Sequence, residues 1–597
     1  MLSDYVPAET IVVDIKSKHR ADGSILLHSS HPIEGHPHRM TEKLIHWAFE
    51  RPDHIFIAQK DQGSKWEKLT YAETYKKVLR LASWLLAQKL SSQQPIAILS
   101  ENSLEHALLA LAALHIGLPY SPITPAYALR SKDYTKLRQV FELLTPGLIL
   151  VSDGANYQEP IEKMGTNSIV VATRNAHYIP GALSFQDILT TSISTSVDKA
   201  YHSIQKNTIA KILFTSGSTA MPKGVINTHG NITTNWQQIT QTFPFLKDGP
   251  QVFMDWLPWN HTFGGNHNFG LTLYHGGSLY IDDGNPTPSG IGKTVENLKS
   301  ISPSVYFNVP KGFEELLPYF KKDKALCIQF FSDLKMLFYA GAGLPQHVWN
   351  DWEQLAFETI GKKVLIGTGL GCTESSPSAL FASQPGGFAG LLGVPVPGLK
   401  LKLVPVGDKL EARYKGDNIF PGYWRQPELT ALAFDDEGYY CTGDALRFVN
   451  PSNPNAGMVF NGMIADDFKL NTGTWVNVGI LRAALISQGA GLIQDAVITG
   501  ADRPFLGAIV FLSADSDLDP GEVRQRLQGI LTAMANQSTG SATRIRKIII
   551  GNFQLSLDKG EITDKGSLNQ KMVLQHHPDV VLKLYSETNL PELITID

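Results

Sequence analysis

The sequence predicts an α/β protein in two parts. A large N-terminal domain of layered α/β subdomains plus a β-rich subdomain is followed by a small α+β C-terminal domain. Three observations carry this. Helical and strand-like runs alternate from about Leu69, as they do where helices cover a largely parallel sheet. The stretch Leu401 to Gly443 is richer in Gly, Pro and aromatic residues, which marks a β-rich unit. A chain of 597 residues also exceeds what one hydrophobic core supports.

In chain order, residues up to about 45 read as an irregular polar strap carrying His28, His31, His36 and His38. No carboxylate or Cys partner stands at ligand spacing, so a surface strap is preferred to a metal site. Tyr71 to Gln88 has helical periodicity, with Leu79, Ala82, Leu85 and Leu86 on one face. Pro95 to Leu99 is an apolar strand, and His106 to Leu118 an apolar helix. That helix is shorter than the roughly 20 residues a membrane span needs, so it is read as buried. Leu148 to Val151, Ser168 to Ala172, Ile209 to Phe214 and Met336 to Phe338 continue the strand pattern. A boundary near 460 divides the chain into 1–460 and 461–597. Beyond it, Ala496 to Ile498 and Gly507 to Leu512 are strands, and Pro520 to Ala533 is a helix.

Composition narrows the partners. Lys+Arg 52 against Asp+Glu 56 gives a net charge of -4, with no basic field for nucleic acid. Cys327, Cys372 and Cys441 are far apart, so a disulfide framework or a Cys-based zinc site is not expected and a cytoplasmic location fits. The N-terminus has no basic start followed by an apolar run. A homodimer is one assembly the sequence allows.

The strand Ile209 to Phe214 runs into Thr215-Ser216-Gly217-Ser218-Thr219-Ala220-Met221-Pro222-Lys223-Gly224. Small hydroxyl residues and Gly let backbone N–H groups crowd around a polyphosphate, and Lys223 adds a point charge. The spacing is not that of a Walker A loop, because Pro222 precedes Lys223 and Gly224 follows it. A Ser/Thr-rich surface loop is the plain alternative. The ten-residue pattern resembles the signature loop of the adenylate-forming superfamily, with Ala220 in place of a Gly.

Further motifs follow in that superfamily's order. Leu69-Thr70-Tyr71 with Glu73, and Leu114 to Pro125, resemble its first two motifs, both structural. Leu257 to Gly264 (LPWNHTFG) resembles the motif near the reacting carboxylate, which implies that His261 bonds or gates the acid. Tyr339 to Pro345 implies adenine contact at Gly341, Ala342 and Gly343. Gly369 to Glu374 implies Thr373 on the α-phosphate and Glu374 as a Mg2+ ligand, a hard oxygen donor of the kind Mg2+ prefers. Tyr439 to Asp444, preceded by Gly416 and Gly422-Tyr423, implies Asp444 on the ribose hydroxyls.

Two motifs depart from the pattern. Gly462 to Gly473 keeps Lys469 and Gly473 but has Met463 where the superfamily has Arg. Losing one charge-assisted contact costs about 1.5–3 kcal/mol. Ala465 falls at the hinge position, which implies that the C-terminal domain is mobile and pivots there. Gly560 to Gly566 places Lys565 as the match for the catalytic lysine.

Together, LPWNHTFGGNHNFGLTLYHGG, DDFKLNTGTWVNVG and GEITDKGSLNQK resemble feruloyl-CoA synthetases most. The resemblance implies ATP, Mg2+ and coenzyme A as cofactors and a small aromatic, hydroxycinnamic-type carboxylic acid as substrate. The acid would be joined to AMP and passed to the CoA thiol, in an acyl pocket lined by Trp259 to Asn268, Val309 to Phe313 and Gly367 to Gly371. Two alternatives stay open. One is an acyl-AMP ligase that delivers to a separate carrier protein. The other is a nucleotide- or acyl-binding homologue impaired by Met463.

Overall fold

The computed structural model describes all residues except 1–3, 62–63, 216–220, 490, 514–517, 564–567, 587–589, 591 and 597. Among the described residues, three sheets build the large part of the molecule. A seven-stranded sheet has the order Lys223–Thr228, Ile209–Thr215, Tyr120–Pro122, Ile96–Leu99, Leu148–Val151, Ile169–Ala172 and Leu183–Ser184. All its pairings are parallel except that of the first two strands. A four-stranded sheet places Val252–Asp255 beside Ser278–Ile281, Ile55–Lys60 and Trp66–Thr70.

The largest sheet has eleven described strands. At one end Val305–Asn308, Met336–Tyr339 and Leu365–Gly371 run parallel. The rest is antiparallel and includes Lys400–Val406, Lys409–Lys415, Tyr440–Phe448 and Met458–Met463. These last strands are the β-rich unit expected from composition. The strap expected before residue 45 is partly wrong. Ile15–His19 and Ile25–Ser29 form a hairpin turned at Gly23 (φ +81°), and its second strand pairs with Lys400–Val406. Burial of Leu27 on this sheet outweighs the polar residues around it.

The helix Tyr71–Ala87 begins where the first motif lies. Thr70 accepts from the Glu73 N–H, and the Glu73 carboxylate accepts from the Thr70 N–H, a reciprocal N-cap. Its core face centres on Val78, Leu81, Ala82 and Leu85, while Leu79 and Leu86 are half-buried. Every residue of the apolar helix Leu104–His115 except Glu105 is buried. No described helix is long and apolar enough to cross a membrane.

The helix His229–Thr242 had no counterpart in the sequence reading. It is polar, HGNITTNWQQITQT, and yet every residue of it is buried. Its amides bond across the sheets. Asn231 Nδ2 donates to the carbonyls of Asp417 and Ile419. Asn235 bonds both backbone groups of Ser378, and Gln238 donates to the Pro397 carbonyl. Buried amides cost little when each polar atom is met. The C-terminal part has its own four-stranded sheet, Ile493–Thr499, Leu506–Leu512, Ile545–Ile550 and Leu593–Thr595, packed on the helix Pro520–Gln537.

Candidate active site

The strand Ile209–Thr215 turns back as Lys223–Thr228, with Thr215 opposite Lys223. Lys223 therefore stands at the last pairing of this antiparallel ladder, opposite Thr215. Ser216, Gly217, Ser218 and Thr219 fall outside the described residues. The segment Gly422 to Gln426 runs alongside this end of the ladder. Trp424 N–H donates to the Gly224 carbonyl at 2.7 Å, Ile226 N–H to Gly422 at 3.2 Å, and Gln426 Nε2 to Pro222 at 3.2 Å. These bonds bring Tyr423 under Lys223, whose Nζ lies 5.4 Å from the ring centroid. The Tyr423 hydroxyl donates to Glu374 Oε1 at 3.1 Å. Burial, with Glu374 adding, pushes this phenol far above its ordinary pKa, so it stays a donor. The sequence reading had placed Tyr423 in a motif without a role. Its only signal was the Gly-Tyr pair.

Glu374 and Thr373 lie in the short turn Thr373–Ser375, just past the strand Leu365–Gly371. Glu374 is 8% exposed, and its second carboxyl oxygen meets no described donor. The Thr373 carbonyl accepts from buried Asn227 Nδ2 at 3.1 Å. Asn227 Oδ1 accepts from Asn266 Nδ2 at 2.8 Å, and Asn266 Nδ2 also reaches Thr262 Oγ1. The hairpin, the acidic turn and the His261 segment are thus one hydrogen-bonded unit.

His261 is half-buried, with its N–H on the Pro258 carbonyl and its own carbonyl accepting from Gly265 N–H at 2.8 Å. A π-helix, Phe263–Asn268, follows. A Cβ at Gly264 or Gly265 would lie 2.3 or 2.4 Å from the carbonyl oxygens of Leu257 and Trp259, so both positions need glycine. Buried Lys211 donates from Nζ to the Gly265 carbonyl at 2.9 Å. Burial lowers its pKa to about 7.

Asp444 is on the strand Tyr440–Phe448, and no described donor meets its carboxyl oxygens. Burial pushes its pKa up to about 7, with the charges of Glu374 and Glu411 adding. Directly across the sheet, in register, stands Met463. Gly341, with φ +90°, opens the exposed turn after the strand Met336–Tyr339. A Cβ on Gly343 would meet nothing within 4 Å, and one on Gly341 only Val309 at 3.9 Å, so this turn offers an open, flat face.

Two expected residues are not gathered with the rest. Lys469 is exposed on the strand Phe468–Lys469, its Nζ 4.9 Å from the Trp475 ring. No described contact joins it to Lys223, Glu374 or Asp444. Lys565 lies outside the described residues. The described residues that precede it are anchored. Asp558 accepts from Ser131 Oγ at 2.7 Å and from Lys132 N–H at 3.3 Å. Leu557 packs on the cluster containing Trp424, the residue bonded to Gly224. Buried Glu561 accepts from His576 Nδ1 and His577 Nε2 at 3.1 and 2.9 Å.

The profile of the AMP-binding enzyme family matches residues 44–424. The chain belongs to the AMP-binding enzymes. The AMP-binding enzyme C-terminal domain matches residues 466–589. The medium-chain fatty-acid–CoA ligase of Escherichia coli K12 is 26% identical over 420 residues, 66% of this chain and 68% of that protein. The long-chain-fatty-acid–CoA ligase of Haemophilus influenzae is 26% identical over 448 residues, 68% of this chain and 74% of that protein. Among solved structures, ATP-bound MatB from Rhodopseudomonas palustris superposes with a TM-score of 0.70 at 20% identity, covering 91% of this chain and 99% of that one. The anthranilate CoA ligase AuaEII in complex with anthranoyl-AMP gives 0.70 at 18%, covering 93% and 99%. These solved structures establish the fold of this AMP-binding enzyme. In it, a lysine at the end of an antiparallel ladder and the buried Glu374 converge on Tyr423, and the half-buried Asp444 lies close enough to feel the charge of Glu374. That arrangement is suited to a polyphosphate, a hard cation and a diol.

Proposed function

We propose that this AMP-binding enzyme is an ATP-dependent acid–CoA ligase that forms an acyl-adenylate and then an acyl-CoA thioester. The observation that carries the reading is the convergence of Lys223 and Glu374 on Tyr423. It supports a triphosphate on the Thr215 to Lys223 hairpin, with Lys223 drawing charge from it. Glu374 has one oxygen held by Tyr423 and one without a described donor, which fits Mg2+; bound there, the ion would neutralise phosphate charge. Asp444 would accept from the ribose hydroxyls, Gly341 to Gly343 would lie against adenine, and Thr373 would meet the α-phosphate.

The acid attacks the α-phosphorus in line, and pyrophosphate leaves. Lys565 would neutralise charge at that step, a role that the anchoring of Leu557 and Asp558 before it favours. Positioning and charge neutralisation carry most of the catalysis. We place the domain boundary near 460 and a pivot near Ala465. After the turn, the CoA thiolate attacks the acyl-adenylate carbonyl and AMP leaves. For the acid we propose an aromatic, hydroxycinnamic-type substrate. The rings of Phe263, His267, Phe307 and Phe338 beneath the nucleotide turns favour it, their centroids lying 4.9–6.2 Å apart.

One observation favours a second reading. Met463 stands in register with Asp444, where a cation would balance Asp444 and Glu374 (Glu411 is already paired with Arg413), as in a homologue that binds nucleotide without turnover. The test is pyrophosphate release from Mg-ATP over ferulate, coumarate, benzoate and medium-chain fatty acids. Acid-dependent release supports the ligase. ATP binding without release for any acid supports the second reading.

A further inference from the structure

The strands Lys400–Val406 and Lys409–Lys415 belong to the β-rich unit of the large part, and Val406 stands opposite Lys409 at the tip of their hairpin. Gly407, with φ +62°, turns the chain there. This tip lies against the first residues of the C-terminal part. A Cβ on Gly407 would come within 3.8 Å of the Trp475 ring, and one on Gly462 would lie 3.1 Å from Lys409 Nζ. Lys409 Nζ forms an ion pair with Asp467 Oδ2, and the two side chains are only 4% and 9% exposed. Salt screens such a pair far less than it screens surface charges.

Each partner is fixed on its own side. Asp467 Oδ1 accepts at 3.1 Å from the N–H of Val478, the first residue of the helix Val478–Gln488. Arg482, another cation near the Asp466-Asp467 doublet, is already taken by Asp495 at 2.9 and 2.8 Å. Lys409 Nζ has no further hydrogen-bond partner among the described residues. A buried ammonium or carboxylate left alone is far costlier than the pair, because neither charge is hydrated. Each half therefore holds the other in place. Lys409 lies in the AMP-binding segment and Asp467 in the C-terminal domain that the two profiles match, so the pair joins the two parts. It does so two residues past the proposed pivot at Ala465.

We infer that Lys409 and Asp467 are positioning residues, whose ion pair holds the C-terminal part in the orientation that docks Leu557 and Asp558 against Ser131, Lys132 and the Trp424 cluster. This rests on the proposed ligase reading and adds to it the residues that set the orientation for adenylate formation. Both act through the part they hold, and neither is given a share in the chemistry.

The test has one arm that needs no turnover and one that does. In hydrogen–deuterium exchange of the full-length protein, the peptide holding Lys132, whose N–H donates to Asp558, should exchange at least about threefold faster in Lys409→Met and in Asp467→Asn. The strand Leu506–Leu512 should exchange as in the wild type, which shows that the variants are folded. Asp467→Asn, nearly isosteric, carries the test should the methionine variant fail to fold. In rapid-quench assays with Mg-ATP and the best acid of the panel above, each variant should form acyl-adenylate about tenfold more slowly. The double variant should be no slower than either, because one shared interaction is lost once. CoA attack on a preformed adenylate should keep its rate. Unchanged exchange at Lys132, equal slowing of both steps, or slowing that multiplies in the double variant overturns the inference and leaves the ligase reading standing. Faster exchange at Lys132 in a protein that makes no adenylate with any acid overturns the ligase reading and leaves the pair as what orients the C-terminal part.

Discussion

At the scale of single residues, Tyr423 and Asp444 give the sharpest expectations. Tyr423→Phe keeps the ring beneath Lys223 and removes only the bond to Glu374. It should lower acid-dependent pyrophosphate release about tenfold, the worth of one hydrogen bond to a charged group. Lys223→Met should cost about a hundredfold or more in the same assay, because a charge facing the phosphates is gone. Asp444 brings a pH dependence whose sign is fixed. Its pKa is raised to about 7, so the carboxyl is neutral below pH 7 and charged above. A charged carboxylate is the better acceptor for ribose hydroxyls. The KM for ATP should therefore rise as pH falls through 7, by up to about tenfold per unit. Asp444→Asn should flatten that dependence. Met463→Arg, which puts a cation in register with Asp444, should move the break to lower pH and tighten ATP binding. A pH profile of ATP KM for the three proteins checks all of this. Most of these residues were legible in the sequence, because Lys223, Glu374 and Asp444 stand in short motifs. Tyr423 was not, because its role comes from backbone pairing between distant segments.

At the scale of elements, the segment Leu257 to Asn268 depends on two glycines and a buried lysine. Gly265→Ala would drive a Cβ to 2.4 Å from the Trp259 carbonyl, so the π-helix must shift and His261 with it. The expected result is a loss of activity in a protein that still binds ATP, read by titration of a nucleotide alongside turnover. The sequence announced the strands and the helix Tyr71–Ala87 through periodicity and capping residues. It did not announce the helix His229–Thr242, because its amides look like surface residues until their partners on other elements are known. Removing one of them tests that reading. Asn235→Leu leaves the Ser378 N–H unmet, while its carbonyl keeps Asn418 Nδ2, and should cost about 1–3 kcal/mol, measured by denaturant unfolding. The N-terminal hairpin escaped the sequence reading for a related reason. Only one of its apolar residues, Leu27, is almost fully enclosed, and its partner strand begins at Lys400.

At the scale of the whole molecule, the fold class and the order of its parts follow from strand–helix alternation and composition, whereas the contacts between parts do not. Asp558 and Leu557 tie the C-terminal part to Ser131, Lys132 and the Trp424 cluster, and nothing in their local sequence marks them. Asp558→Ala should loosen that docking. Acyl-adenylate formation should then slow by about three- to tenfold, while CoA attack on a preformed adenylate changes little, as rapid-quench assays of each half-reaction would record. The substrate is the least legible feature, because it depends on how rings from two strands and a π-helix meet in space. The central question is whether this AMP-binding enzyme makes an adenylate and then a thioester. Mass spectrometry of one turnover with Mg-ATP and 4-hydroxycinnamate answers it. Acyl-AMP should accumulate without CoA and be replaced by acyl-CoA and AMP when CoA is added. Bound ATP with neither product, across the full panel of acids, would mean that the site holds a nucleotide and does no chemistry on it.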